Sequence, residues 1–129
     1  MTFHPTIIAA VAAGGALGAV ARYAVSAAAL RLAGPGFPWG TLAANVSGSF
    51  AMGVLIGVLA GLESIPEELR AFLTVGFLGA FTTFSTFSLD FVVLIERKAA
   101  PAAFAYAGAS VLGAVAALFA GLVLARSLS

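Results

Sequence analysis

The chain has 129 residues, of which 62% are hydrophobic and only 9% charged, with a net charge of +1. A soluble domain carries about 25% charged residues, so this chain cannot cover a water-facing surface and reads as one integral membrane domain over residues 1–129. The near-zero charge excludes a nucleic-acid partner, whose binding rests on neutralised phosphates. With no cysteine, one histidine and five carboxylates, there is little acid–base or metal chemistry, and no enzyme is expected.

A helix crossing a hydrocarbon core of about 30 Å needs roughly 20 residues. The sparse charges punctuate four such spans, at about 7–30, 40–62, 69–95 and 102–125. The first, from Ile7 to Leu30, is interrupted only by Arg22. A cleaved signal is not expected there, because no basic segment precedes Arg22. Arg22 has two readings: an arginine near a helix end snorkels to the headgroups, or it sits in an aqueous vestibule and concentrates anions. Gly14 and Gly18 form a GxxxG, the pattern of closely packed membrane helices.

The stretch Gly34-Pro35-Gly36-Phe37-Pro38-Trp39 is a turn, and Trp39 suits the membrane interface. The second span carries Asn45, which either bonds a neighbouring helix or donates to an anion. Gly53, Gly57 and Gly61 repeat the GxxxG in tandem, for contact within the chain or between subunits. Ser64-Ile65-Pro66-Glu67-Glu68 reads as a helix start, with Ser64 as N-cap, Pro66 near N1 and acids in the first turn.

The third span holds two superimposed patterns. Phe77, Phe81, Phe84, Phe87 and Phe91 recur at helical spacing, usually the mark of a lipid or core face. Thr82, Thr83, Ser85, Thr86 and Ser88 put five hydroxyls into seven residues near mid-membrane, beside Gly79. Such a cluster points to a helix break, tolerated at that depth only inside protein or against water. Freed carbonyls at a break can bind a cation. Asp90 is the only acid in this apolar stretch and lies near its end. In the fourth span Tyr106 and Ser110 are four residues apart and share a face.

Four spans put both termini on one side. Arg70 and Arg126 then face Arg31, Arg97 and Lys98 on the other. Three against two barely selects an orientation under the positive-inside rule. Loops one and three inside is one outcome; insertion in both directions, with antiparallel pairing, is the other.

At this point the sequence resembles a known family, the Fluc (CrcB) fluoride channels of bacteria, along essentially its whole length. The matching segments are Gly14-Gly15, Gly18-Ala19 and Arg22-Tyr23; Gly40-Thr41-Leu42, Asn45 and Gly48; the block Gly76 to Ser88; and Tyr106-Ala107-Gly108-Ala109-Ser110. The resemblance implies an all-α membrane protein with four transmembrane helices, the third broken near mid-membrane. It implies an antiparallel dual-topology homodimer in the bacterial plasma (inner) membrane, passively exporting toxic fluoride through two pores. Phe84 and Phe87 would be the pore phenylalanines and Asn45 the pore asparagine. Tyr106 and Ser110 would form a polar track, with Thr83 also in the pore and Arg22 near its vestibule. Backbone carbonyls of Gly79 and Thr82 would hold a structural sodium ion at the dimer interface. One departure is Ala114, where family members often carry a second hydroxyl one turn after the Ser110 position.

The chemistry is compatible. Fluoride holds its hydration shell tightly and leaves water at high cost. Neutral amide and hydroxyl donors, with the positive edges of Phe rings, can replace that shell. The competing readings are a small dual-topology multidrug transporter and a holin-like pore former. The first needs a membrane-embedded carboxylate, and the first span has none; the ordered polar cluster of the third span argues against the second.

Overall fold

The computed structural model describes residues 3–129. Within them, four helical spans are long and apolar enough to cross a membrane: Pro5–Ala33, Trp39–Ala60, Glu67–Glu96 and Ala100–Ser127. Each overruns the sequence-based boundaries by a residue or more at one or both ends. The first and last are single helices, α1 (Pro5–Ala33) and α6 (Ala100–Ser127), as is the second, α2 (Trp39–Ala60). The third is composite. It runs through α3 (Glu67–Ala71), a π-helical segment (Phe72–Leu78), α4 (Gly79–Phe81) and α5 (Phe84–Glu96).

The helix ends follow local chemistry. Pro5 occupies the first turn of α1, where its missing N–H costs nothing. Gly34 closes α1 with φ of 76°, and its N–H reaches the Leu30 carbonyl at 2.9 Å. Only glycine takes that backbone freely. The expected Ser64 cap is corrected: α3 begins at Glu67, Pro66 takes the N-cap position, and no side chain caps it. Pro66 itself sets the start, since its fixed φ of −58° leads into the helix. Glu68 instead accepts from the Thr6 hydroxyl at 2.8 Å, tying the starts of α1 and α3 together.

Glycine patterns decide which helices touch. A Cβ on Gly14 or Gly18 would run into the Phe72 and Phe77 carbonyls, so α1 lies directly against the π-helical segment. A Cβ on Gly53 would strike the Leu118 carbonyl, and one on Gly57 would stand 2.5 Å from the Ala125 Cβ. Thus α2 packs on α6, and both glycine motifs make contacts within the chain. Gly61 ends α2, and a Cβ there would meet only the Val58 carbonyl of its own helix, at an ordinary 3.5 Å.

Helix α1 also packs on α2, where a Cβ on Gly40 would stand 2.7 Å from the Ser26 Cα, and α5 packs on α6. Leu94, Ala103 and the fully buried Tyr106 form the centre of the latter contact, with Phe37, Leu42, Phe87 and Phe91 packed around them. Most other large apolar side chains point outward, among them Leu17, Val20, Leu112 and Phe119. Such a surface is suited to lipid and would be a liability in water.

Candidate functional site

The third span leaves the helix at two residues. Thr82 (φ −84°, ψ 156°) and Thr83 (φ −154°, ψ 124°) are both extended. In an unbroken helix the carbonyls of residues 79–82 would accept from the amides of 83–86. Here, among the described residues, only the Ala80 carbonyl and the Thr83 and Thr86 amides find other partners. Thr83 is the N-cap of α5: its hydroxyl accepts from the Thr86 amide at 3.1 Å and donates to the Thr86 hydroxyl at 3.1 Å. The Thr82 hydroxyl donates back to the Leu78 carbonyl at 2.9 Å. Of the hydroxyl cluster, Thr83 alone meets a group that the break frees, the Thr86 amide; the Leu78 carbonyl keeps its helical bond from the Thr82 N–H at 3.0 Å as well.

Asn45 enters from α2 and grips Thr83 at two points. Its Oδ1 accepts from the Thr83 N–H at 2.7 Å, and its Nδ2 donates to the Thr83 carbonyl at 2.9 Å. One Nδ2 hydrogen is left over. Arg22 enters from α1, and its Nε donates to the Ala80 carbonyl at 3.1 Å. Among the described residues, the carbonyls of Gly79, Phe81 and Thr82 accept no hydrogen bond, nor do the amides of Phe84 and Ser85 donate one.

Beside the break lies a cavity of about 280 Å³ between α2, α5 and α6. Asn45, Thr82, Thr83, Phe84, Phe87 and Ser110 line it, together with Ser49 and Ala114. The Phe84 and Phe87 rings stand 5.5 Å apart, tilted by 41°. Phe84 is 78% exposed, while Phe87 packs against Tyr106 with ring centroids 5.2 Å apart. Ser110 is buried, and its hydroxyl has no hydrogen-bond partner. Buried polar atoms are satisfied in the great majority of cases, so an orphan hydroxyl beside a cavity marks a place for a ligand or water.

Other expected site residues lie elsewhere. Tyr106 is not among the lining residues; it sits one turn before Ser110, fully buried, and donates to Asp90 Oδ2 at 3.0 Å. Arg22 is likewise not part of the lining and is engaged at the back of the break. Phe77 and Phe81 stack on each other at 6.2 Å, and Phe91 packs edge-on to Phe104 at 5.6 Å. Ser49 was missed in the sequence, although it follows Asn45 by one turn and so shares its face. A second cavity, also about 280 Å³, lies under the α1–α2 loop and includes Thr41, Asp90 and Arg97.

No group of three or more His, Cys, Asp or Glu side chains could hold a metal among the described residues. A cation in this chain would rest on backbone oxygen. The unpartnered carbonyls of Gly79 and Thr82 fit that demand for a hard cation such as sodium.

Fold and site together define a multi-pass membrane protein whose third span is interrupted beside a small, part-polar cavity. The chain belongs to the CrcB-like (Camphor Resistance, CrcB) family, whose model matches residues 9–122. Curated relatives agree over nearly full length. A protein of Mesorhizobium japonicum is 55% identical over 118 residues, covering 92% of this chain and 94% of its own. One from Rhodospirillum centenum is 56% identical over 121 residues, covering 94% and 96%. One from Agrobacterium fabrum is 53% identical over 121 residues, covering 94% and 97%. All three are named fluoride-specific ion channel FluC. With four apolar spans and bacterial relatives, the chain is a multi-pass protein of the bacterial inner membrane. The multidrug-transporter alternative finds no support among these relatives.

Proposed function

We propose that this chain forms a passive, fluoride-selective channel that lets toxic fluoride leave the cytoplasm, working as an antiparallel dual-topology homodimer with a structural sodium ion. The observation that carries the pore reading is the orphan hydroxyl of Ser110 beside a cavity lined by Asn45, Phe84 and Phe87. Fluoride gives up a strongly held water shell, which donors must replace. The Ser110 O–H, the spare Asn45 N–H and the positive ring edges of Phe84 and Phe87 are neutral donors of that kind. The unpaired Phe84 and Ser85 amides, at the positive end of α5, add a favourable field for an anion.

The dimer follows from what one chain leaves bare. Carbonyls without partners at membrane depth cannot face lipid, and Gly79 is exposed in the single chain. A second copy would cover it, and carbonyls from both copies would surround one sodium ion. That ion's contribution when bound is to satisfy the freed carbonyls and hold two breaks together. Orientation in both directions accords with the balance of Arg70 and Arg126 against Arg31, Arg97 and Lys98.

The test is ion flux from liposomes holding the purified protein. Fluoride should leave rapidly and chloride hardly at all, with no proton gradient needed. Comparable chloride flux, or fluoride flux that requires an imposed proton gradient, would overturn the reading.

A further inference from the structure

We infer that Arg22 is a positioning residue for the cation at the helix break, acting through the Ala80 carbonyl. The inference rests on the sodium reading proposed above.

Arg22 lies well inside its span, whereas Arg31, Arg70 and Arg126 sit within a few residues of a span end, and the Arg22 side chain is half-buried. A buried charge in a membrane span is costly unless engaged. A snorkelling arginine would reach the headgroups, whereas this one sends Nε across to the Ala80 carbonyl. Among the described residues no carboxylate partners it; Asp90 accepts from Tyr106. The bond is charge-assisted, and such bonds are about twice as strong as neutral ones.

The choice of carbonyl matters. The break frees four consecutive carbonyls, Gly79 to Thr82, and Arg22 withdraws one of them as a ligand. It also anchors the Ala80–Phe81 peptide, which adjoins the Gly79–Ala80 peptide that carries the Gly79 carbonyl. On the other flank, Asn45 Oδ1 holds the Thr83 N–H, which shares its peptide with the Thr82 carbonyl. In a planar trans peptide, C=O and N–H point in opposite directions. Holding the Thr83 N–H toward Asn45 therefore turns the Thr82 carbonyl away from it. Asn45 thus holds the peptide of the Thr82 carbonyl, while Arg22 anchors the peptide next to the Gly79 carbonyl and acts without being a ligand itself.

The guanidinium charge also opposes a nearby cation, so the two roles predict opposite signs. A positioning role requires that loss of Arg22 weakens sodium binding; a merely repulsive one requires that it strengthens binding. The experiment compares wild type with Arg22→Met, Arg22→Lys and Arg22→Gln, and with Arg31→Met as a control on the same helix. Sodium affinity is read from the rise in Tm on replacing N-methylglucamine by sodium, which grows with ligand concentration over Kd. Hydrogen exchange over residues 78–86 is read in parallel.

Arg22→Met should weaken sodium binding by roughly tenfold or more, the cost of one lost charged hydrogen bond, and speed exchange at the break. Arg22→Lys, which keeps a charged donor, should recover part of both effects, and Arg31→Met should change neither. Arg22→Gln keeps a neutral donor and carries the comparison if Arg22→Met does not fold. Sodium affinity that is unchanged or tighter when the donor is lost overturns the inference. Wild type without sodium stabilisation overturns it together with the sodium reading. Loss of fluoride selectivity alone would overturn only the channel reading, since neither readout here uses flux.

Discussion

Phe84 and Phe87 belong to a five-ring stripe whose members do different things. Phe77, Phe81 and Phe91 pair with one another or with Phe104, while Phe84 and Phe87 border the cavity with Asn45 and Ser110. If their ring edges meet fluoride, Phe→Ile or Phe→Met keeps the bulk and removes the electrostatic contact. We expect fluoride flux to fall at least tenfold at Phe84 and Phe87, and to change little at Phe77, Phe81 and Phe91, because volume-conserving apolar swaps are usually mild. Liposome flux on protein shown to be monodisperse checks this; equal sensitivity at all five positions would remove the distinction. Ser110 sharpens the same chemistry, because Ala114 one turn later presents only a methyl to the same cavity. Ser49 of α2 is a further hydroxyl residue of the lining.

Among the elements, the break is the most dependent on its neighbours. Asn45 satisfies both the N–H and the C=O of Thr83. Asn45→Asp keeps the acceptor but sets a carboxylate oxygen against the Thr83 carbonyl. Leaving buried groups unpaired costs about 1–3 kcal/mol, so this variant should show a lowered Tm as well as lost fluoride flux. A wild-type Tm with lost flux would assign Asn45 to the ion path alone. Glycine spacing supplies a second contrast. Gly53→Val would drive a side chain into the Leu118 carbonyl and part α2 from α6, with overpacking costs of about 1–3 kcal/mol. Gly61→Ala meets nothing closer than the Val58 carbonyl at 3.5 Å and should leave stability unchanged. Thermal unfolding of both variants in detergent separates them, and equal losses would refute the assignment of Gly53 to the α2–α6 contact.

At the scale of the whole molecule, the proposed antiparallel pairing requires that copies insert in both directions. Three basic residues against two give almost no orientational bias. Reporter fusions to the C-terminus should therefore signal from both sides of the membrane, and two or three added lysines on one side should abolish one of the signals. A single orientation in wild type would exclude the antiparallel dimer. The sequence by itself determined the membrane class, the four spans and the family, because these depend on runs of apolar residues and on local motifs. It also placed the third span's polar cluster beside Gly79, since hydroxyls at membrane depth need a backbone partner or water. What Arg22 and Asn45 bind was beyond it: each reaches a carbonyl or amide on another helix, 58 and 38 residues away along the chain. Backbone partners leave no mark in side-chain patterns. The glycine motifs were visible as contacts but not as choices between neighbours, because GxxxG states only that something comes close. Tertiary structure alone assigned Gly14 and Gly18 to the π-helical segment and Gly53 and Gly57 to α6, for close approach is a property of two surfaces and the sequence of either helix describes one.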